Sequence, residues 1–147
     1  GIGICGAVDI IIASEDARFG VPEVDRGALG AGAHLQRMFP LQKVRQMYFT
    51  GEMIDAAEAY RLGAVEKVIP RDRLRATALE LAGKIAAKSP TIIALAKEAL
   101  NGVEDGDLER HYRWEQGFTA QAYLTKESQE ARDAFVDKRE ANFADKK

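Results

Sequence analysis

A single carboxylate, Glu23, stands between a short apolar segment and a glycine-rich stretch, and a carboxylate in such a setting could do acid–base chemistry. Pro22 fixes its own φ angle and biases Val21 toward an extended conformation, so the backbone that presents Glu23 has little freedom. A carboxylate held beside Val21, Val24 and Leu29 is also poorly solvated, which suits it to proton transfer near neutral pH. Glu23 is therefore the leading catalytic candidate. The alternative is an exposed glutamate at the end of a strand.

The stretch that follows Gly27 is rich in small residues and leads to His34. Its glycines, Gly30 and Gly32, are expected to allow a tight turn and close backbone packing. Histidine is the side chain whose unperturbed charge change falls near neutral pH, so His34 could supply an acid or a base. The alternative is a helical histidine whose ring is satisfied by its neighbours.

The first residues match the dinucleotide-binding pattern G-x-G-x-x-G at Gly1, Gly3 and Gly6. That fingerprint needs a full helix before the next strand. Asp9 and the three isoleucines that follow it predict a strand over residues 9–12, soon after Gly6, so a full helix does not fit. We instead expect a helix start whose free backbone N–H groups lie close to a negatively charged oxygen.

Composition limits the possible functions of the chain. It has 147 residues, of which 46% are hydrophobic and 30% charged, and its formal net charge is −2. These values favour neither disorder nor a nucleic-acid surface. No apolar stretch approaches the roughly 20 residues that span a bilayer. One cysteine and two histidines fall short of a structural metal site. We expect a cytoplasmic protein with no metal, no membrane contact and no nucleic-acid partner.

The rest of the chain is predicted to be mainly helical, with one short strand over residues 65–69. Asp55 and Ser89 are expected to cap two of the helices. Trp114 and Phe118 share a helix face, which favours packing in a core or a subunit interface. The expected helices cover residues 42–49, 55–61, 74–85, 90–100, 107–124 and 128–142, with Asn101–Gly102 ending the fourth.

Several segments resemble the crotonase (enoyl-CoA hydratase/isomerase) superfamily: DIIIASEDARFGVPE (9–23), QR (36–37), TGEMIDA (50–56), LGAV (62–65) and AFVDKR (134–139). The resemblance implies an α/β crotonase fold, the ClpP-like ββα spiral, here its second half plus the C-terminal helical assembly region. Residues 1–70 would form the C-terminal part of the core with the active-site loop. Residues 71–147 would form a helical tail for trimerisation and coenzyme A contact. An N-terminal portion of the subunit is expected upstream.

The same resemblance implies an enzyme that transforms acyl-CoA thioesters through an enolate held by backbone N–H groups, a lyase or isomerase of the enoyl-CoA hydratase/isomerase type. Glu23 would be its acid/base, and Gly1 would neighbour the oxyanion hole. Phe135 would pack on the adenine and Lys138 would meet a phosphate of coenzyme A. A homotrimer or hexamer is implied, with no cofactor other than the coenzyme A of the substrate.

Gly3 departs from the hydratase pattern, because hydratases of the family typically carry their first glutamate at this position. A clamp of two carboxylates on a water molecule is then missing, so isomerisation, dehydration or C–C cleavage gains weight. Residues 24–30 and 113–119 resemble a branch that opens rings by hydrolysing a β-diketone acyl-CoA. Gly3, Val21, Leu29 and Trp114 could then line a pocket for a bulky acyl group. A third hypothesis is a non-catalytic homologue that binds acyl-CoA.

Overall fold

The computed structural model describes residues 1–104 and 106–143, and the remaining positions of the expected tail, 105 and 144–147, lie outside it. The described chain is mainly helical. Its helices are α1 (Ile2–Cys5), α2 (Gly32–Met38), α3 (Leu41–Thr50), α4 (Ala56–Arg61), α5 (Leu74–Ala86), α6 (Pro90–Val103), α7 (Leu108–Tyr123) and α8 (Lys126–Asp137). Its strands are β1 (Ile12–Ser14), β2 (Arg18–Phe19), β3 (Ile54–Asp55) and β4 (Lys67–Ile69), and 3₁₀ helices form at Pro22–Arg26 and Arg71–Arg73.

Two small sheets frame the first half of the chain. Strand β1 pairs in parallel with β4, with Ile12 opposite Lys67. Strand β2 pairs in antiparallel fashion with β3, with Phe19 opposite Ile54. The predicted strand over residues 9–12 is wrong in its position: β1 covers Ile12–Ser14, and before it, among the described residues, only the Ile11 carbonyl is joined to this sheet, by accepting the N–H of Glu66. Asp9 instead lies on the surface, where Lys97 forms an ion pair with it at 2.5 Å.

The hydrophobic core lies between these sheets and helices α2, α3 and α4. Leu35 and Met47 are fully buried at its centre, and the Phe19 and Phe39 rings meet edge to face. Alternate apolar residues of each short strand and one stripe of each helix supply the rest, as periodicity requires. The other members of the buried cluster are Ala13, Val21, Met38, Val44, Ile54, Ala56, Ala59 and Val65.

Side-chain caps set the start of four helices. Asp55 accepts the N–H of Glu58 and Ser89 accepts that of Ile92, so both predicted caps are confirmed. Asp107 and Thr125 cap α7 and α8 in the same way. Two predicted ends are wrong. Helix α6 continues through Asn101–Gly102 to Val103, and α8 ends at Asp137 because Lys138 adopts the left-handed conformation that terminates a helix.

Helices α5, α6 and α7 expose large apolar side chains. Trp114 is 74% exposed, so the expectation that it packs in the core of this chain is wrong. It forms an edge-to-face pair with Phe118, whose ring centroid lies 5.4 Å away. Among the described residues, no helix is both long and apolar enough to cross a membrane. The other exposed apolar residues of these helices include Leu79, Ile92, Leu95, Leu100 and Val103.

Helix α8 packs against the 3₁₀ helix Pro22–Arg26 through a contact that has no room for a side chain. Gly27 ends the 3₁₀ helix with a φ angle of +65°, a left-handed conformation that disfavours other residues. A Cβ atom on Gly27 would lie 2.5 Å from the Cα atom of Ser128. The Ser128 hydroxyl donates to the carbonyl oxygen of Gly27. Close approach at this glycine therefore holds α8 beside Glu23.

Replacement of Gly27 should test this contact, with Gly63 as a matched control. Both glycines have positive φ angles, but a Cβ atom on Gly63 would meet nothing within 4 Å. Gly63→Ala should cost about 1–2 kcal/mol of unfolding free energy from the left-handed backbone alone. Gly27→Ala should cost about 1–3 kcal/mol more from the clash with Ser128. Denaturant unfolding measures both, and equal losses would contradict the close packing of α8.

Candidate active site

Glu23 lies in the 3₁₀ helix Pro22–Arg26, not at the end of a strand as one sequence interpretation had it. Val21, which precedes this helix, has φ and ψ angles of −133° and 77°, outside the extended conformation predicted for it, but it is only 2% exposed, so the start of the segment is fixed in the core. The Oε2 atom of Glu23 is buried and has no hydrogen-bond partner among the residues that the structure describes. A buried acceptor without a donor is costly unless a ligand or water satisfies it. This oxygen is therefore ready to accept a proton or a hydrogen bond.

The segment from Gly27 to Gly32, which we call the glycine turn, passes directly beside Glu23. A Cβ atom on Gly30 would lie 3.6 Å from the Glu23 carboxyl group, so Gly30 forms part of the wall around it. The amide of Gly30 donates to the Tyr48 hydroxyl at 3.2 Å. Gly30 thus contacts the candidate catalytic carboxylate on one side and a tyrosine of α3 on the other.

The carboxylate of Glu115, on α7, completes this arrangement. Its Oε1 atom accepts hydrogen bonds from the Gly32 amide at 2.6 Å and from the Tyr48 hydroxyl at 2.8 Å. Its Oε2 atom accepts from the Ala33 amide at 3.1 Å. Glu115 therefore joins α7, α3 and the end of the glycine turn. Hydrogen bonds to a charged acceptor are stronger than those between neutral groups.

Burial raises the pKa of Tyr48 well above its ordinary value of 10.0, and the hydrogen bond and negative charge of Glu115 raise it further. The Gly30 amide opposes this rise by donating to the phenol oxygen, and the charge of Glu23 adds to it. Tyr48 therefore remains a neutral hydrogen-bond donor throughout the physiological range. The charge of Glu23 also reaches the phenol.

His34 lies on α2, and its Nδ1 atom is buried without a partner within the described part of the chain. The ring packs edge to face on Tyr112, with the centroids 5.0 Å apart. Gly6 lies against the backbone of His34, where a side chain on residue 6 would clash. These contacts place His34 between α1 and α7 and leave its predicted acid–base role a hypothesis.

Gly1 lies just before the four-residue helix α1, and Gly3 lies within it. Added Cβ atoms on both would meet nothing within 4 Å, so this surface is open in the described chain. Gly1 is exposed and precedes the first turn of α1, as expected for a neighbour of free N–H groups. No group of three or more histidine, cysteine, aspartate or glutamate residues within 1–104 and 106–143 is arranged to hold a metal ion.

A cavity of about 450 Å³ lies between α2, α3 and α7. Leu29 and Trp114, two of the predicted pocket residues, both line it, together with Tyr48 and Glu115 at its polar side. Its size and its mixture of apolar walls with a few polar groups are typical of small-molecule sites. The remaining lining residues are Gly32, Ala33, Gln36, Val44, Arg45, Phe49, His111 and Phe118.

The residues predicted to meet coenzyme A lie at the end of α8. Phe135 is exposed, and the Arg26 guanidinium lies 4.4 Å from its ring centroid, in cation–π contact. Lys138 follows at the left-handed end of the helix and is also exposed. Because Arg26 belongs to the same 3₁₀ helix as Glu23, the structure brings this predicted site within one element of the candidate carboxylate.

Sequence reasoning missed Tyr48, Glu115 and Arg26. Glu115 meets residues 67 and 83 positions away, and no local pattern in the sequence indicates contacts of that kind. In the sequence alone, Tyr48 is indistinguishable from the other apolar positions of α3. Arg26 could have been noticed as a cation close to Glu23, but its contact with Phe135 depends on how α8 docks.

The chain matches the enoyl-CoA hydratase/isomerase family over residues 1–146 and belongs to that family. It is similar to a "(7aS)-7a-methyl-1,5-dioxo-2,3,5,6,7,7a-hexahydro-1H-indene-carboxyl-CoA hydrolase" of Rhodococcus jostii, with 47% identity over 93% of this chain and 53% of the relative. The hydrolase of the same description from Mycobacterium tuberculosis is 49% identical over 94% of this chain and 56% of its own length. A short-chain-enoyl-CoA hydratase of Clostridium acetobutylicum is 35% identical over 95% of this chain and 54% of the relative.

Solved structures agree on the fold. A carnitinyl-CoA hydratase from Mycobacterium avium superimposes with a TM-score of 0.86 and 30% identity, covering 98% of this chain and 57% of that structure. A methylmalonyl-CoA decarboxylase in complex with 2-nitronate-propionyl-CoA gives 0.78 and 28%, with coverage of 98% and 57%. The crotonase fold predicted from sequence is confirmed. The chain spans about half the length of the curated relatives it matches.

The raised pKa of Tyr48 predicts a specific loss of stability in alkali. Its folded value exceeds the unfolded value of 10.0, so its contribution is fully present below pH 10.0 and is lost as the pH rises toward the folded pKa. Tyr48→Phe should remove this part of the alkaline loss. Unfolding free energies measured on both sides of pH 10.0 test this. Tyr60→Phe, which removes an exposed phenol on α4, should keep the parent's pH dependence. Identical curves for Tyr48→Phe and the parent would contradict the buried environment of Tyr48.

Proposed function

We propose that the protein opens a ring in a fused-ring acyl-CoA thioester by hydrolysing a C–C bond, with Glu23 as the acid/base. The observation that carries this proposal is the buried Oε2 atom of Glu23, which has no partner among the described residues. Gly3 stands where, by the family resemblance, hydratases typically carry their first glutamate. Two relatives with 47% and 49% identity are hydrolases of a bicyclic dione bearing a CoA thioester, and they support this branch over the hydratases.

One carboxylate is enough for this reaction. Glu23 takes a proton from a water molecule as the water oxygen adds to a ring ketone that is β to the thioester. The C–C bond between that carbonyl carbon and the thioester α-carbon then breaks, and its electron pair becomes the thioester enolate. The ketone carbon becomes a carboxylic acid that remains attached to the product through the rest of the opened ring. Glu23 returns its proton to the α-carbon, so atoms and charge balance.

The cavity beside Leu29 and Trp114 would take the apolar part of a bulky acyl group. Its aromatic walls offer apolar area and ring faces to a fused-ring skeleton. Gly3 leaves open space where a glutamate side chain would otherwise stand, which also favours a large substrate. The enolate oxygen would be held by backbone N–H groups, as the family resemblance implies, with Gly1 as a neighbour of that site.

The other end of the substrate would contact α8. Phe135 offers an aromatic face to the adenine, and Lys138 offers a mobile positive charge to a phosphate. Arg26, held over the Phe135 ring, adds a second cation to the same surface. We also propose that the apolar residues exposed on α5, α6 and α7 pack against other subunits in a trimer or hexamer, because clusters of exposed large apolar side chains mark interaction surfaces.

Hydration of an enoyl-CoA is the second candidate function, and the Clostridium acetobutylicum hydratase at 35% identity favours it. Water addition uses the same enolate but needs the attacking water to be held in a fixed position. In this candidate function the Glu23 carboxylate alone holds the attacking water, because residue 3 is a glycine. A third outcome is binding of acyl-CoA without turnover.

Glu23→Gln in the intact protein tests the proposed role of the carboxylate. The amide keeps the shape but cannot accept the proton, so kcat for ring opening of a fused-ring dione CoA thioester should fall about 10²–10⁴-fold. The Kd for the thioester, measured by calorimetry, should stay within about twofold. Asp25→Asn, an exposed carboxylate in the same 3₁₀ helix, is the control and should keep full activity. A loss of less than about fivefold in Glu23→Gln would assign the chemistry to another residue.

Gly3→Glu distinguishes ring opening from hydration. If the open space at Gly3 serves a bulky acyl group, the glutamate should block ring opening and add no hydration of crotonyl-CoA. If the protein is a hydratase that lacks one carboxylate, the same change should increase hydration, followed as loss of enoyl absorbance. Ala57→Glu, at an exposed position of α4 outside the proposed site and subunit contacts, should change neither rate. Strong hydration by the parent that does not depend on residue 3 would contradict the argument from Gly3.

A further inference from the structure

Glu115 is a half-buried residue on a helix whose neighbouring side chains are exposed. Its two carboxylate oxygens accept three hydrogen bonds, from the amides of Gly32 and Ala33 and from the hydroxyl of Tyr48. Three donors satisfy the negative charge, so Glu115 is not a free base that could take a proton from a substrate. Its contacts are instead those of a fixed anchor between α7 and the glycine turn.

The glycine turn needs an anchor because its backbone is strained. Ala31 has a φ angle of +53°, in the left-handed region that costs a residue with a Cβ atom of order 1–3 kcal/mol. Such a conformation persists only where surrounding contacts impose it. The hydrogen bonds of Gly30 to Tyr48, and of Gly32 and Ala33 to Glu115, flank Ala31 on both sides. The strained residue therefore lies between two fixed points.

This turn forms one side of the enclosure around Glu23. A Cβ atom added to Gly30 would lie 3.6 Å from the Glu23 carboxyl group. The Gly30 amide donates to the Tyr48 hydroxyl at 3.2 Å. A shift of Gly30 toward or away from Glu23 would change the space and the solvent access at the carboxylate. Rates of enzyme reactions are sensitive to displacements of about 1 Å in groups that set such geometry.

We propose that Tyr48 and Glu115 are positioning residues that hold the glycine turn against Glu23 in its reactive arrangement. This inference rests on the proposed function, in which Glu23 is the acid/base. Tyr48 connects the anchor to Gly30, and Glu115 fixes both Tyr48 and the end of the turn. Neither residue exchanges a proton with the substrate. Their effect on the rate passes through the placement of Gly30.

Tyr48→Phe is the direct test, because it removes one hydroxyl and keeps the ring that packs in α3. The Gly30 amide then loses its acceptor, and Glu115 loses a donor. We expect kcat for ring opening to fall about 10- to 100-fold. KM should change less than about threefold, because the ring of Tyr48 still forms the cavity wall and its hydroxyl is already engaged by the Gly30 amide and Glu115. Tyr60→Phe, an exposed tyrosine on α4, should keep the parent's kcat and KM.

Combined variants separate positioning from a general loss of structure. In the Glu23→Gln background, Tyr48→Phe should lower the residual rate less than about twofold, because the group being positioned is already absent. Glu115→Gln should lower kcat as Tyr48→Phe does, and the double variant should lose no more than the worse single variant. Circular dichroism and thermal unfolding of each variant show whether it is folded. If Tyr48→Phe does not fold, Glu115→Gln gives the same comparison.

Two results would overturn the inference, and they differ from failure of the proposed function. Full kcat in folded Tyr48→Phe and Glu115→Gln, while Glu23→Gln is inactive, would show that the anchor does not act on the site. An equal fold-loss from Tyr48→Phe in the parent and in the Glu23→Gln background would show an effect that bypasses Glu23. Full ring-opening activity in Glu23→Gln itself would instead refute the proposed function.

Discussion

The Glu115 carboxylate accepts hydrogen bonds from an α3 tyrosine and from two amides at the start of α2, and so joins parts of the chain that are far apart in sequence. Helix α7 also meets the rest of the protein through the Thr119 hydroxyl, which donates to the Leu29 carbonyl at 3.4 Å, and through the Tyr112 ring on His34. The Glu115 charge is tolerated in a half-buried position because its donors replace the water that it loses. These bonds fix the end of the glycine turn, while the Ser128 contact with Gly27 fixes its start.

Local features of the fold could be predicted from the sequence because they depend on neighbours in the chain. Asp55 and Ser89 cap α4 and α6, as predicted. A cap needs only a side-chain oxygen and a backbone N–H three residues later in the chain. Strand β1 was misplaced because the apolar residues 10–12 favour a strand but do not show at which residue pairing starts. Only the position of β4, some 55 residues later along the register, decides where pairing begins.

The sequence indicates one part of the candidate site and misses the rest for the same reason. Glu23 could be recognised because its environment is set by adjacent residues, among them Pro22 and Val21, and by a motif shared with a known family. Tyr48 and Glu115 could not, because their importance comes from hydrogen bonds across 67 residues of chain. The helical spacing of Trp114 predicts packing in a core or a subunit interface, and in this chain Trp114 is exposed. Spacing shows which residues share a face, but it does not show what that face meets.

The contact between Gly27 and Ser128 links the two ends of the proposed substrate. Helix α8, which carries Phe135, is docked on the same short segment that carries Glu23, and the dock is too tight for even a methyl group. The distance between Phe135 and Glu23 is therefore fixed, and a thioester bound at both residues would have to span it. In the proposed function, the chain that links the nucleotide to the thioester would have to match this distance. An acyl group carried on a shorter or longer chain would place its reacting carbon away from the carboxylate. Selectivity for the carrier would then come from distance as well as from recognition of the nucleotide.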